Sequence, residues 1–217
     1  MVTTTSVVLG SASPARLRVL RDAGLDPRVI VSDVDEDALL ATLGDAPPAE
    51  VVVRLAGAKA DAVVAAVLSG DRDSSDVVVL TCDSMLLLDG RLSGKPHTVP
   101  AARDQWRRMR GRSGQLLTGH QVTRINASRV VGTAQASAST TIHFADIDDP
   151  TIDAYAATGE PLAVAGAFTL DGLGGWFVDA IDGDPSSVIG IGLPTVRRLL
   201  DEVGIDVTTL WRLGSSA

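Results

Sequence analysis

The fold is decided by one stretch near the start of the chain, Thr4-Thr5-Ser6-Val7-Val8-Leu9-Gly10-Ser11-Ala12-Ser13-Pro14. Its first six residues form a short β-rich run that ends at Gly10, which predicts a buried strand. Ser13 is a favoured N-cap and Pro14 a favoured first helical residue, so a helix is predicted to begin here. A strand that leads through a short turn into a helix is typical of the first unit of an α/β sheet.

The turn between this strand and this helix is a candidate phosphate-binding site. Its small residues expose backbone N–H groups at the positive end of the helix dipole, which is a favoured place for a phosphate. Arg16, and also Arg18, lie in or near the first helical turn, where a guanidinium can bind phosphate oxygens. The alternative is that Ser13 only caps the helix and that the arginines form a solvated face. The Gly-Lys-Ser/Thr of a P-loop and the Gly-x-Gly-x-x-Gly motif are both absent from the sequence.

The rest of the chain continues the mixture of strands and helices. An Asp89-Gly90 turn predicts a hairpin, and a Thr/Val/Ser-rich region at 115–144 predicts two long strands joined near residues 126–129. Further strands are predicted at residues 28–31, 77–81 and 176–181, a polar loop at 71–76, and helices at 48–70, 100–110, 149–159 and 194–203. This order predicts a mixed α/β sheet.

Composition narrows the classes of function. The 217 residues carry a formal net charge of −8, which disfavours a protein that binds nucleic acid by neutralising its phosphates. A single cysteine, Cys82, excludes an internal disulfide and a thiolate zinc site. The sequence has no apolar run of the roughly 20 residues that span a bilayer, and its N-terminus does not resemble a signal peptide. We therefore expect a soluble, cytoplasmic protein with no membrane partner.

Lysine occurs at only two positions, Lys59 and Lys95, among 19 basic residues. Lys59 has small neighbours on both sides in the sequence, which leaves room for a ligand to approach. Lys95 lies in a predicted loop, Ser93-Gly94-Lys95-Pro96. An ammonium is a compact point charge suited to phosphate, although each lysine also fits an ordinary surface position.

Two acidic regions are candidates for metal binding or base catalysis. Asp83 follows the apolar run 77–81, at the predicted C-terminal end of a central strand, where open α/β sheets place ligands. A carboxylate there can act as a base for water or as a metal ligand. The alternative is that Asp83 only caps a turn. The acidic run Asp33-Val34-Asp35-Glu36-Asp37 offers the oxygens that Mg²⁺ prefers, but taken alone it is better interpreted as a solvated loop.

A series of motifs in one order resembles the Maf family of nucleotide pyrophosphatases. The opening Ser11-Ala12-Ser13-Pro14-Ala15-Arg16 is similar to the Ser-x-Ser-Pro-Arg-Arg of that family. The later motifs are Val34-Asp35-Glu36, Leu55-Ala56-x-x-Lys59-Ala60, Asp83-Ser84, Gly94-Lys95-Pro96, Thr118-Gly119, Tyr155-x-x-x-Gly159-Glu160-Pro161, Ala165-Gly166-Ala167-Phe168, Gly172-Leu173-Gly174 and Gly192-Leu193-Pro194. The resemblance covers almost the whole chain, from near Leu9 to near Leu200.

The resemblance implies a fold, a reaction and an assembly. The fold is inosine-triphosphatase-like: an elongated, mixed central sheet flanked by helices, within a single bilobed domain over residues 1–217 that has a cleft between its lobes. The reaction is hydrolysis of nucleoside triphosphates between the α- and β-phosphates, giving a monophosphate and pyrophosphate with the help of Mg²⁺ or Mn²⁺. The assembly is a homodimer.

The resemblance also assigns roles to individual residues. Asp83 and Glu36 correspond to the acidic catalytic and metal-binding residues, Lys59 and Lys95 to the two catalytic lysines, and Ser11, Ser13 and Arg16 to the phosphate-contacting set. Such a set is physically coherent, because its cations and a divalent metal offset the triphosphate charge while the α-phosphorus stays open to water.

The chain departs from the family pattern at a few positions. Ala15 replaces the first arginine of the usual pair, Ser84 replaces a threonine, and Asp171 stands where the pyrimidine-preferring branch has glutamine. These three positions are associated with base selection. The stretch Val188-Ile189-Gly190-Ile191-Gly192 is about two residues longer than the common form, which predicts a tolerated surface insertion.

Two other functions remain open on the sequence. A non-catalytic nucleotide-binding regulator of septum formation is compatible with the missing arginine at position 15. A sugar-nucleotide or phosphoryl transferase is compatible with the phosphate-binding turn.

Overall fold

A computed structural model describes residues 5–70 and 76–212 of the chain. Position 4 of the first predicted strand and residues 71–75 of the predicted polar loop lie outside the described residues. The strands are β1 (Ser6–Leu9), β2 (Arg28–Val29), β3 (Asp76–Leu88), β4 (Arg91–Ser93), β5 (Ser113–Asn126), β6 (Arg129–Phe144) and β7 (Val178–Asp182). The helices are α1 (Pro14–Asp22), α2 (Glu36–Leu43), α3 (Pro48–Ser69), α4 (Val99–Met109), α5 (Asp149–Ala157), α6 (Pro185–Ile189) and α7 (Leu193–Glu202).

These strands form one mixed seven-stranded sheet. Its order is β2-β1-β3-β5-β6-β7, with β4 paired to β3 outside this path. β1 runs parallel to both β2 and β3, whereas the β3–β4 and β6–β7 pairs are antiparallel. The predicted mixed α/β sheet with flanking helices is confirmed. No helix in the described parts of the chain is both long enough and apolar enough to cross a membrane.

The chain divides into two compact units, which are described separately. The first unit comprises the residues up to Asp83, Gly119–Ala138 and those from Gly190 onward. Its aliphatic core contains Leu9, Leu20 and Leu80, each fully buried. The start of α1 is as predicted: Ser13 is the N-cap, its Oγ accepting from the backbone N–H of Arg16, and Pro14 is the first helical residue.

The second unit comprises Ser84–Thr118 and Ser139–Ile189. Its core holds most of the aromatic residues of the protein, and the indole ring of Trp106 lies at their centre. Trp106 makes edge-to-face contacts with Phe144, Tyr155 and Phe177. Its Nε1–H donates to the carbonyl of Ala167 at 2.7 Å, which satisfies the one polar atom of this buried ring.

Some predicted elements have different bounds in the structure. The acidic run at residues 33–37 was predicted as a loop, but Glu36 begins α2 and Asp35 is its N-cap, accepting from the Ala38 N–H at 2.9 Å. The strand predicted at 176–181 begins at Val178, because Leu173–Phe177 forms a 3₁₀ turn. Asp76, predicted in a loop, is buried at the start of β3 and accepts from Arg124.

Gly119 allows α3 to approach β5 closely. A Cβ atom at this position would overlap the backbone carbonyl of Val52 in α3. The overlap is with backbone atoms, which cannot rotate away as a flexible side chain can. The close packing of α3 against β5 therefore explains the glycine of the Thr118-Gly119 motif.

We expect Gly119→Ala to lower the free energy of unfolding by about 3 kcal/mol, because the added methyl forces backbone apart in a packed core. Gly94→Ala is the matched control, since a Cβ there would meet only Met85 Cε at an ordinary 3.7 Å. Urea denaturation of both variants measures the difference. Equal stabilities of the two variants would contradict the close approach.

Candidate active site

Asp83 lies in a buried part of β3 in the first unit. Asp83 is only 6% exposed, and its neighbours Thr81 and Cys82 are also buried. The prediction that Asp83 ends its strand is wrong. β3 continues to Leu88 because the residues after Asp83 pair with β4, Leu86 opposite Ser93.

Lys59 places an ammonium group between two carboxylates. Its Nζ donates to Oδ1 of Asp83 and, at 2.8 Å, contacts Oε1 of Glu36. Ala56 and Ala60, on the same helix α3, are fully buried, so the helix packs closely around the lysine. Thr81 Oγ1 donates to the carbonyl of Ala56 at 2.9 Å and fixes α3 against β3. The structure thus brings Glu36, Lys59 and Asp83 together.

Only one residue of the acidic run reaches this ion pair. Glu36 is at the first position of α2 and contacts Lys59. Asp33, Asp35 and Asp37 are exposed, and Asp35 is occupied as the helix cap. Helix geometry therefore selects Glu36 from among the four acidic residues.

Burial changes the acid–base behaviour of Asp83. Burial raises the pKa of its carboxyl above the ordinary value of 3.8, and the nearby charges of Lys59 and Arg16 offset this rise only in part. A carboxylate with a raised pKa is a stronger base for a proton from water. The arrangement is therefore suited to base catalysis as well as to metal binding.

The turn before α1 is organised around the guanidinium of Arg16. Nη1 donates to the carbonyl of Cys82 at 2.7 Å and to Ser11 Oγ at 3.2 Å, and Nε donates to the carbonyl of Gly190 at 3.2 Å. Ser11 Oγ also accepts from the Ser13 N–H at 3.2 Å. The three predicted phosphate-contacting residues thus form one connected group, anchored on the residue before Asp83.

Gly190 contributes to this group and was missed from the sequence. The longer stretch around it was predicted to be a surface insertion, and this is wrong: Ile191 and Gly192 are buried, and the Gly192 N–H donates to Nε2 of the buried His120 at 3.0 Å. A Cβ on Gly190 would lie 3.0 Å from the backbone nitrogen of Arg16. The glycine in this stretch was the available signal for a close backbone approach.

The remaining predicted site residues lie as follows. Ala15 is half-buried in α1 of the first unit. Ser84, Lys95 and Asp171 belong to the second unit. Ser84 Oγ lies 3.0 Å from Thr118 Oγ1, whereas Lys95 and Asp171 are exposed on loops. The Lys95 loop is held by backbone bonds: Gly166 N–H to the Gly94 carbonyl at 3.2 Å, and His97 N–H to the Leu162 carbonyl at 2.9 Å.

The donor set around Lys59 fits a hard divalent cation that also binds substrate phosphates. Glu36 and Asp83 supply carboxylate oxygens, the donors that Mg²⁺ and Mn²⁺ prefer. No three His, Cys, Asp or Glu side chains of residues 5–70 and 76–212 form a complete metal cage. A cation held by Glu36 and Asp83 would take its remaining ligands from water or from the substrate.

Comparison with known proteins identifies the family. A family model described as "Maf-like protein" matches residues 6–203. The chain belongs to the Maf family. Three relatives that carry the name nucleoside triphosphate pyrophosphatase are similar to this Maf protein over nearly full length. A protein of Rhodococcus jostii is 63% identical over 95% of this chain and 96% of its own, one of Nocardia farcinica 60% over 96% and 98%, and one of Mycobacterium marinum 55% over 95% and 97%.

Lys59→Met tests the buried ion pair. The variant leaves the Asp83 carboxylate buried without its main compensating charge, so the free energy of unfolding should fall by about 3 kcal/mol at pH 7. The Asp83 pKa should rise further, and a carboxyl whose pKa is higher in the folded than in the unfolded state gives more stability at lower pH. The loss should therefore shrink between pH 7 and pH 5, as measured by urea unfolding at both values.

The control adds a second substitution to the same variant. Asp83→Asn in the Lys59→Met background replaces the unpaired acid by a neutral amide and should recover part of the lost stability. It should also make the loss in the free energy of unfolding the same at pH 7 and pH 5. An identical loss at both pH values, unchanged in the double variant, would show that Lys59 does not compensate Asp83.

Proposed function

We propose that this Maf protein is a nucleoside triphosphate pyrophosphatase, which hydrolyses its substrate between the α- and β-phosphates to a nucleoside monophosphate and pyrophosphate. The observation that carries the proposal is the contact of the buried Lys59 with the buried Asp83 and with the half-buried Glu36. An ammonium and two acidic groups beside a helix N-terminus suit a reaction that must hold a polyanion and activate water. The names of the relatives, 55–63% identical, support the same activity.

The two acidic residues have the central roles in this proposal. Asp83 and Glu36 hold a divalent cation, Mg²⁺ or Mn²⁺, which when bound supplies a Lewis acid for the phosphate oxygens. Asp83 serves as metal ligand or as the base that accepts the proton of the attacking water. Its raised pKa supports the second role.

The cationic groups offset the charge of the triphosphate. Lys59 and Lys95 act as ammonium point charges, and Arg16 supplies a guanidinium. Ser11 and Ser13 lie in the turn before α1, where backbone N–H groups favour an anion. Holding the charge of the leaving pyrophosphate in this way lowers the barrier to its departure.

Base selection is assigned to three positions, Ala15, Ser84 and Asp171. Ala15 replaces an arginine that is usual in the family, and Ser84 and Asp171 differ from the threonine and glutamine of its pyrimidine-preferring branch. The pyrimidine preference of that branch is therefore not carried over to this protein. We also propose that the protein acts in the cytoplasm as a homodimer, removing unwanted nucleotides from the pool.

A nucleotide panel with Mg²⁺, followed by ³¹P NMR, tests the activity. Pyrophosphate and a monophosphate should form with at least one nucleotide, and Asp83→Asn should abolish their formation. Tight binding with unchanged nucleotide recovered would favour the non-catalytic regulator. Release of phosphate or of a transferred product would favour the transferase. Full turnover in Asp83→Asn would contradict the role of Asp83.

Lys59→Arg and Lys95→Arg should each lower kcat/KM by about tenfold or more, because a planar guanidinium cannot replace a compact ammonium against a phosphate. Lys95 is exposed, so Lys95→Arg should leave the urea midpoint unchanged. Arg91→Lys, at an exposed position of β4, is the control, because it exchanges arginine and lysine outside the proposed site. Wild-type rates in both lysine variants would remove the lysines from the mechanism.

A further inference from the structure

Four donors converge on the carboxylate of Glu160 in the second unit. Oε1 accepts from Tyr155 Oη at 3.0 Å, from Thr169 Oγ1, and from the Gly174 N–H at 3.0 Å. Oε2 accepts from the Leu173 N–H at 3.0 Å. Although burial alone would raise the pKa of Glu160, the hydrogen bonds from Thr169, Leu173 and Gly174 lower it below the ordinary value. Glu160 is thus held as a carboxylate, with both oxygens occupied.

These bonds fix the backbone of one loop, residues 169–174. Leu173 and Gly174 begin the 3₁₀ turn Leu173–Phe177, so Glu160 satisfies N–H groups that a turn of this kind leaves without internal partners. A Cβ on Gly172 would lie 2.8 Å from Oε2 of Glu160, so the glycine is what allows the carboxylate to approach. Asp171 lies in this loop and is exposed.

We infer that Glu160 is a positioning residue for nucleotide selectivity, acting through the loop backbone that presents Asp171. This inference rests on the proposed function, in which Asp171 takes part in base selection. Glu160 itself is occupied by four protein donors and contacts no substrate in this assignment. Its effect is to give Asp171 one fixed backbone position instead of many.

The hydrogen bonds that anchor the Lys95 loop are made by backbone groups and not by this carboxylate. They involve the backbone carbonyl of Leu162 and the backbone N–H of Gly166. Loss of the Glu160 charge should therefore loosen the Asp171 loop and leave the Lys95 loop in place. The choice among nucleotides should change more than the rate with the best nucleotide.

Glu160→Gln is the informative substitution because it keeps the shape of the side chain. An amide has one acceptor oxygen, so its NH₂ group must face either the Leu173 N–H or the Gly174 N–H, and neither of these can accept a hydrogen bond. Glu202→Gln is the matched control: Glu202 is an exposed residue at the end of α7 in the first unit. Thr169→Val is a second variant that keeps the charge of Glu160 but removes one of its donors, together with an acceptor that lies 3.3 Å from the Gly174 nitrogen.

Selectivity is measured as the ratio of kcat/KM between the best nucleotide and each other nucleotide, for Glu160→Gln, Asp171→Ala and the double variant. Glu160→Gln should change at least one ratio by about threefold or more when Asp171 is present, and should have no further effect on the ratios in Asp171→Ala, because residues in one network are coupled. Thr169→Val should change the same ratio in the same direction by a smaller factor. Glu202→Gln should change none.

Amide hydrogen exchange gives a readout that does not need turnover. Exchange at Leu173 and Gly174 should be about tenfold faster in Glu160→Gln, and exchange at His97 should be unchanged. Unchanged exchange at Leu173 and Gly174 would overturn the positioning role. Equal loss of kcat/KM for every nucleotide, with or without Asp171, would show a merely structural role. If the wild type hydrolyses no nucleotide while exchange responds as expected, the proposed function fails, and the selectivity part of the inference fails with it.

Discussion

The first unit depends on the burial of one charged group, the Asp83 carboxylate in β3. A carboxylate without compensation in such a place would take up a proton or destabilise the fold. Lys59 is buried beside it and supplies the opposite charge, and the surrounding elements follow from that need. α3 must lie close to β3 for the ammonium to reach Asp83. The absence of a side chain at Gly119 and the bond from Thr81 to Ala56 allow that distance.

Two carboxylates of this protein are stabilised in different ways, and the difference suits their proposed tasks. Asp83 is compensated mainly by a single ammonium, and its pKa is raised, so it can exchange a proton or accept a metal ion. Glu160 is compensated by hydroxyl and backbone donors, and its pKa is lowered. Such a group keeps its charge and its geometry at neutral pH. A reactive carboxylate needs the first arrangement, and a carboxylate that holds a loop needs the second.

Local signals predicted much of this structure, and long-range contacts account for what they missed. Ser13 and Pro14 mark the start of α1 because capping depends only on neighbours in the chain. Asp83 was identified because an acidic residue after an apolar run is visible in the sequence, and the two lysines because lysine is rare in this chain. By contrast, Gly190 was taken for part of a surface insertion, although its carbonyl accepts from Arg16, 174 residues away. In the sequence, Glu160 is visible only as part of a motif. Its role depends on hydrogen-bond donors at Tyr155 and in residues 169–174, which meet it only in the folded chain.

The geometry of the site explains why arginine stands at position 16 and lysine at position 59. Arginine dominates the basic residues, and at position 16 two nitrogens of its fork, Nε and Nη1, together reach a hydroxyl and two carbonyls. At position 59 the ammonium contacts single oxygens of two different carboxylates within a helix packed by alanines. A guanidinium is wider and favours two parallel bonds to one carboxylate, so it would pair with Asp83 or Glu36 at the expense of the other. An arginine at position 59 would therefore lose one of these two contacts, whatever substrate the site binds.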